Sequence, residues 1–200
     1  MDIDMNRINE IIEKISSAGE IQLSDIPYID LYMDQITTLF EDKLSDTKRD
    51  VNEKILTKTM INNYTKAKAL LPPKNKKYSK SHIILMALIY NMKQVLSIND
   101  IKLVLTPILS RLNASNDSTS DLLEKIYGSF LDIKQQDLKD LKNDFGDTFH
   151  IVSNKTENME LEDRDLASLM LLVLTLTEQA SLQKQLAESI IDNFFKTVNK

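Results

Sequence analysis

ILTKTMINNYTKAKALLPPKNKKYSKSHI, residues 55–83, is the stretch whose reading decides the fold. It lies within a longer segment, Lys54 to Asn99, that holds nine lysines and no aspartate or glutamate. The flanks are acidic. Net charge is −8 over residues 1–53, +9 over 54–99 and −6 over 100–200, which leaves the whole chain at −5. A basic block inside an acidic protein is a local electrostatic feature that whole-chain charge conceals.

The spacing within the quoted stretch predicts a helix over 58–69 with Thr57 as its N-cap. Met60, Ile61, Tyr64 and Ala67 fall on one face, and Lys58, Thr59, Asn62, Asn63 and Lys66 on the other. Asn can pair with adenine edges, and Lys can reach guanine edges or phosphates. An ordinary solvated helix face has a similar composition; the charge bias favours nucleic acid. Pro72 and Pro73 should stop the helix. Lys74, Asn75, Lys76 and Lys77 then make a compact basic turn closed by Tyr78, placed to clamp a phosphate backbone or enter a minor groove. Ser79 caps the next helix, whose stripe is Ile84, Leu85, Leu88, Ile89, Met92, Val95 and Leu96. His82, near its start, reads as a capping or phosphate-contact group rather than a metal ligand. Ser97 and Asp100 form a capping box for the helix after it.

These residues carry a resemblance. Thr59, Met60 and Tyr64, then Leu70 to Pro73, Tyr78 and Ser79, then Leu96, Ser97 and Ile101 resemble the DNA-binding domain of the MerR family of transcription regulators. Where that family usually carries an arginine after a Thr-Leu pair, this chain has Ile61 and Asn62. Where it usually has a Gly-Tyr-Arg wing tip, this chain has Asn75, Lys76 and Lys77. More closely, residues 26–105 are similar to a Firmicute family known as domain of unknown function 1836. The resemblance covers about two fifths of the chain. It implies a winged helix-turn-helix and binding to double-stranded DNA.

Composition bounds the remaining readings. Three glycines and 6% aromatic residues favour helix over sheet. The absence of cysteine excludes disulfides, thiol redox chemistry and cysteine-bearing metal sites, and two histidines leave little for imidazole ligation. No metal or cofactor is implied. No HExxH, GxSxG or glycine-rich phosphate motif is present, so an enzyme is not expected. The longest mostly apolar run, 166–176, is far shorter than a membrane span. The acidic start MDIDMNRINE has no signal-peptide core, so the expected location is cytoplasmic, without membrane.

Taken in order, residues 4–17 read as a helix ended by Gly19. Ser24 to Pro27 open a second helix to about Lys43, with Ile29, Tyr32, Met33, Ile36, Leu39 and Phe40 inward. Its acids, Asp30, Asp34, Glu41 and Asp42, should point away from DNA. Pro107 should break or restart a helix with Thr106 as cap. Residues 113–119, NASNDST, read as an interdomain linker, and Ser118 with Asp121 as the next cap. A helix pair follows, ending at Gly146, with a loop or lid from Phe149. Residues 160–178 and 180–198 read as two helices or one long one, buried nearly all round near Leu166 to Leu176. The expected architecture is therefore mainly all-α. It comprises a MerR-like winged helix-turn-helix domain with an N-terminal helical extension over 1–112, a linker over 113–119, and a helical dimerisation or effector domain over 120–200. The expected function is a DNA-binding transcriptional regulator acting as a homodimer, with an unidentified small-molecule effector as a further partner. The competing reading is a helical protein-interaction module whose winged fold no longer binds DNA.

Overall fold

A computed structural model describes residues 5–114 and 117–196. The chain is mostly helical, in agreement with the all-α expectation. The α-helices are α1 (Met5–Ser16), α2 (Met33–Leu44), α3 (Lys58–Lys66), α4 (Lys80–Met92), α5 (Ile98–Asn113), α6 (Asp117–Thr156) and α7 (Leu161–Ile190). Two short strands, β1 (Leu31–Tyr32) and β2 (Lys77–Tyr78), pair antiparallel, with Leu31 opposite Tyr78 and Tyr32 opposite Lys77. A π-helical turn, Ile191–Phe195, extends α7.

The chain divides into two compact units: Ala18–Asp132 with Ala187–Lys200, and Met1–Ser17 with Ile133–Leu186. The first is built around α4, in which Ile83, Ile84, Leu85, Met86, Ala87 and Ile89 are all buried. A helix apolar on every side must be central. Around it sit Ile36 and Phe40 of α2, Ile61 of α3, Ile101 and Leu105 of α5, and Leu123 and Tyr127 of α6. Each large side chain so buried contributes about 1.5–3 kcal/mol. The hydroxyl of Tyr127 donates to the Ile21 carbonyl at 2.6 Å, and burial pushes this phenol far up from its ordinary pKa. At Gly19 the backbone passes so close to α2 that a Cβ would lie 1.9 Å from the Lys43 carbonyl oxygen, so glycine is required there.

The second unit is thinly cored. Its buried apolar residues include Ile12, Val152 and Leu172, and Thr148, Thr156 and Ser168 are buried beside them. Thr156 and Ser168 share a hydroxyl–hydroxyl hydrogen bond of 2.8 Å. Leu166, Met170, Val173 and Leu174 of α7 stay exposed, at 54%, 57%, 64% and 61%.

Several expectations are corrected. The α-helix read from Ser24 does not form until Met33: Leu23–Asp25 make one 3-10 turn, residues 26–30 are irregular, and Leu31 and Tyr32 pair with β2. Ile29 and Tyr32 are consequently exposed rather than inward. Pro107 does not break α5, which continues through it. Ile101, Leu105 and Leu109 are all buried from this helix, so packing outweighs the one missing backbone bond. Thr106 is not a cap; its hydroxyl donates to the Lys102 carbonyl. Gly146 does not end a helix, and the loop expected from Phe149 is helical through Thr156, where Val152 and Thr156 are buried. Of the expected linker 113–119, Ser115 and Asn116 lie outside the described residues, and α6 begins at Asp117, so Ser118 lies inside it. The boundary expected there is not the boundary between compact units, since Leu123, Tyr127 and Leu131 belong to the core around α4. Finally, α7 is one long helix and is not buried all round. Glu162–Phe195 is long and apolar enough to cross a membrane by length and composition, which the 166–176 run alone did not suggest.

Candidate nucleic-acid interface

Helix α3 starts as its sequence predicts: the Thr57 hydroxyl accepts from the Met60 N–H at 3.1 Å. The two faces also fall as read. Ile61 is fully buried and Met60, Tyr64 and Ala67 are half-buried, whereas Lys58, Thr59, Asn62, Asn63 and Lys66 are exposed. Burial raises the Tyr64 phenol pKa. The helix ends earlier than Pro72 would dictate. Lys68 takes a left-handed backbone (φ 61°). The Ala69 N–H donates to the Tyr64 carbonyl at 2.9 Å and the Lys68 N–H to the Thr65 carbonyl at 3.0 Å. This is a Schellman termination with lysine where glycine is usual.

The basic turn is a two-residue hairpin. Lys74 and Lys77 exchange backbone hydrogen bonds of 3.0 and 2.9 Å, and Asn75 (φ 52°) and Lys76 (φ 63°) both sit in the left-handed region. That pattern is a type I′ turn, which suits the twist of paired strands. Lys74, Asn75 and Lys76 are exposed and Lys77 is half-buried.

Residues 28–34, which lead through β1 into the first turn of α2, run beside the basic block and meet it at four positions. The Lys80 ammonium lies 5.1 Å from the Tyr28 ring centre, and the Lys77 ammonium 5.2 Å from that of Tyr32. The Asp30 charge acts on His82, and Asp34 forms an ion pair with Lys58. Asp30 and Asp34 therefore do not point away from the basic surface but border it: Asp30 precedes β1 instead of lying in a helix, and Asp34 sits in the first turn of α2 within reach of Lys58. Lys58, the first residue of α3, thus meets the first turn of α2 at Asp34, and Lys77, at the end of the hairpin turn, meets Tyr32 just before that helix.

Two residues read as DNA-binding groups are part of the scaffold. Tyr78 is 2% exposed, so its ring belongs to the core, and burial pushes its phenol up. His82 caps α4: the Ser79 N–H donates to its Nδ1 at 3.2 Å, and its Nε2 lies 3.2 Å from the Pro72 carbonyl oxygen. Those partners fit a neutral ring with the proton on Nε2. Burial lowers the His82 pKa, against smaller raising effects of the Pro72 carbonyl and Asp30. Of the two roles open to His82, capping describes its geometry.

Lys80 is paired with Glu124 at 2.7 Å, and Lys93 donates to the Ile55 carbonyl at 2.8 Å, its pKa lowered by burial. Lys54, Lys66, Lys68, Lys74 and Lys76 are exposed and have no ion-pair partner among the described residues. Sequence spacing does not single out Lys68, because its left-handed placement beyond the helix leaves no periodic signal. Nor does it single out Tyr28 and Tyr32, because their segment reads as helical. Among the described residues no cluster of three His, Asp or Glu could hold a metal.

The module that carries this surface is an α-helical unit with a small two-stranded pairing. The chain belongs to the family described as Domain of unknown function (DUF1836), whose model matches residues 21–130. That span nearly coincides with the continuous part of the first compact unit, Ala18–Asp132. Comparison with curated proteins and with solved structures found no match.

Proposed function

We propose that this protein is a DNA-binding transcriptional regulator, with α2 and α3 acting as a MerR-like helix-turn-helix and the 74–77 hairpin as its wing. The observation that carries the reading is the exposure of Thr59, Asn62, Asn63 and Lys66 on α3 and of Lys68, Lys74 and Lys76 after it, the four lysines having no ion-pair partner among the described residues. No acid occurs anywhere in residues 54–99 to oppose a phosphate there. The amides of Asn62 and Asn63 supply base-edge readout, and the lysines supply phosphate contact. Lys58 is held by Asp34 and contributes less.

In this reading the protein is cytoplasmic and works as a homodimer, since paired half-sites need two copies of one reading helix. The exposed apolar side of α7, Leu166, Met170, Val173 and Leu174, supplies the pairing surface. The chemistry is binding, not catalysis.

A second reading, a helical interaction module without DNA binding, is favoured by one observation. Lys58, Lys77, Lys80 and Lys93 already face internal partners, and Asp30 and Asp34 edge the surface. Selection of bound fragments from a random duplex pool at moderate salt separates the two. Enrichment of one motif, with Asn62→Ala or Asn63→Ala costing about 1–3 kcal/mol of discrimination, supports regulation. A pool that stays random through every round supports the interaction module.

A further inference from the structure

The unit built on α4 contains a cavity of about 370 Å³ that uses none of the basic-surface residues. Leu88 and Met92 of α4, Val104 and Ile108 of α5, and Leu123 and Ile126 of α6 form its apolar walls. Phe195, in the π-helical turn that packs on α5, lines it too. Such turns recur at functional sites. Pro107 lies in the wall and cannot donate to the carbonyl four residues back. One lining residue is charged: Arg111, exposed at the last turn of α5, with no carboxylate partner among the described residues.

We propose that this cavity binds a small amphipathic carboxylate, with the acyl chain against the apolar walls and the carboxylate on Arg111. The size falls in the range of small-molecule sites, about 300–1,000 Å³. A stable protein interface takes roughly 20–30 residues on each side, and eleven described residues line this cavity. A planar guanidinium with no carboxylate on it among the described residues is suited to grip one through two parallel hydrogen bonds. A cationic amphipath is repelled by Arg111, and a neutral one forgoes that pair. The site does not depend on the DNA-binding reading.

Calorimetric titration of the full chain with octanoate, decanoate, decanol and decyltrimethylammonium, all below their micellar concentrations, tests this. The expected result is saturable binding of one decanoate per chain. Affinity rises about fourfold per added methylene, the factor that burying one CH₂ confers. Arg111→Met weakens decanoate at least tenfold and leaves decanol unchanged; this exposed position tolerates the change without unfolding. Ile126→Trp fills the cavity and abolishes binding of both, with Leu122→Trp as a second filling variant if the first melts early. Three results each overturn the proposal: no saturable decanoate binding, equal affinity for decanoate and decyltrimethylammonium, or unchanged decanoate affinity in Arg111→Met. If a filling variant halves the sedimenting mass and decanoate does not bind, the groove belongs to a second copy of the chain, which also overturns it.

Discussion

Lys68 and Lys76 hold left-handed backbone that glycine adopts at no steric cost. A lysine there is disfavoured by roughly 1–2 kcal/mol. Lys68→Gly should therefore raise stability by about 1 kcal/mol, read as a higher urea midpoint with an unchanged slope. A neutral or lower midpoint would mean that the Schellman termination is not what ends α3. His82 supplies a pH dependence of known sign. Its folded pKa lies below the ordinary value of 6.5, so the unfolded chain takes up a proton first as pH falls. The contribution to stability is complete above pH 6.5 and declines as pH drops through the window beneath it. His82→Gln should flatten the melting temperature against pH between about 6.5 and 5, where the wild type declines. An unchanged decline would show that other groups govern it.

At the scale of elements, the pairing of residues 28–34 with the basic block sets how much positive charge is free. Asp34→Asn releases Lys58 from its ion pair, so affinity for any duplex should rise at low salt and the salt dependence should steepen. Folding stability should change little, because exposed pairs contribute about 0–1 kcal/mol. A fall in affinity would mean that Asp34 orients Lys58 rather than neutralising it. The same segment marks the limit of periodicity. Ile29, Tyr32, Met33 and Ile36 recur at helical spacing, yet the first two are exposed and lie outside any helix. What decides the matter is the pairing of Leu31 and Tyr32 with Tyr78 and Lys77, some 45 residues away, which periodicity cannot register. The faces of α3 and the burial of α4 were legible because the contrast between apolar and polar positions is strong and the caps, Thr57 and Ser79, are local. Pro107 and Gly146 misled for the opposite reason. Both weaken a helix by local rules, and in α5 packing of Leu105 and Leu109 overrides the rule. Within the candidate surface, the exposed amides and lysines of α3 could be read directly. The scaffold roles of Tyr78 and His82 could not, because they depend on what packs against the hairpin.

At the scale of the molecule, the unit of α1, distal α6 and most of α7 buries apolar side chains such as Ile12, Val152 and Leu172, while Leu166, Met170, Val173 and Leu174 of α7 stay exposed. Leu166, Met170 and Leu174 follow one another at four-residue spacing, the ridge by which helices interlock. A second copy covers this ridge in the proposed homodimer. Sedimentation of the wild type should give twice the 23.0 kDa chain mass, and Met170→Glu with Leu174→Glu should return it to the monomer. A monomeric wild type, or partition of α7 into lipid vesicles, would exclude the homodimer. DNA binding itself is tested most directly by fluorescence anisotropy of a selected duplex across a salt series, with Lys66, Lys68, Lys74 and Lys76 changed to alanine singly and together. Removing one lysine that neutralises a phosphate should lower the slope of log affinity against log salt by roughly 0.9, while thermal melts stay close to wild type, since alanine at Lys68 and Lys76 keeps the Cβ that strains the left-handed backbone. If the fourfold substitution leaves both affinity and slope unchanged, this surface does not bind DNA.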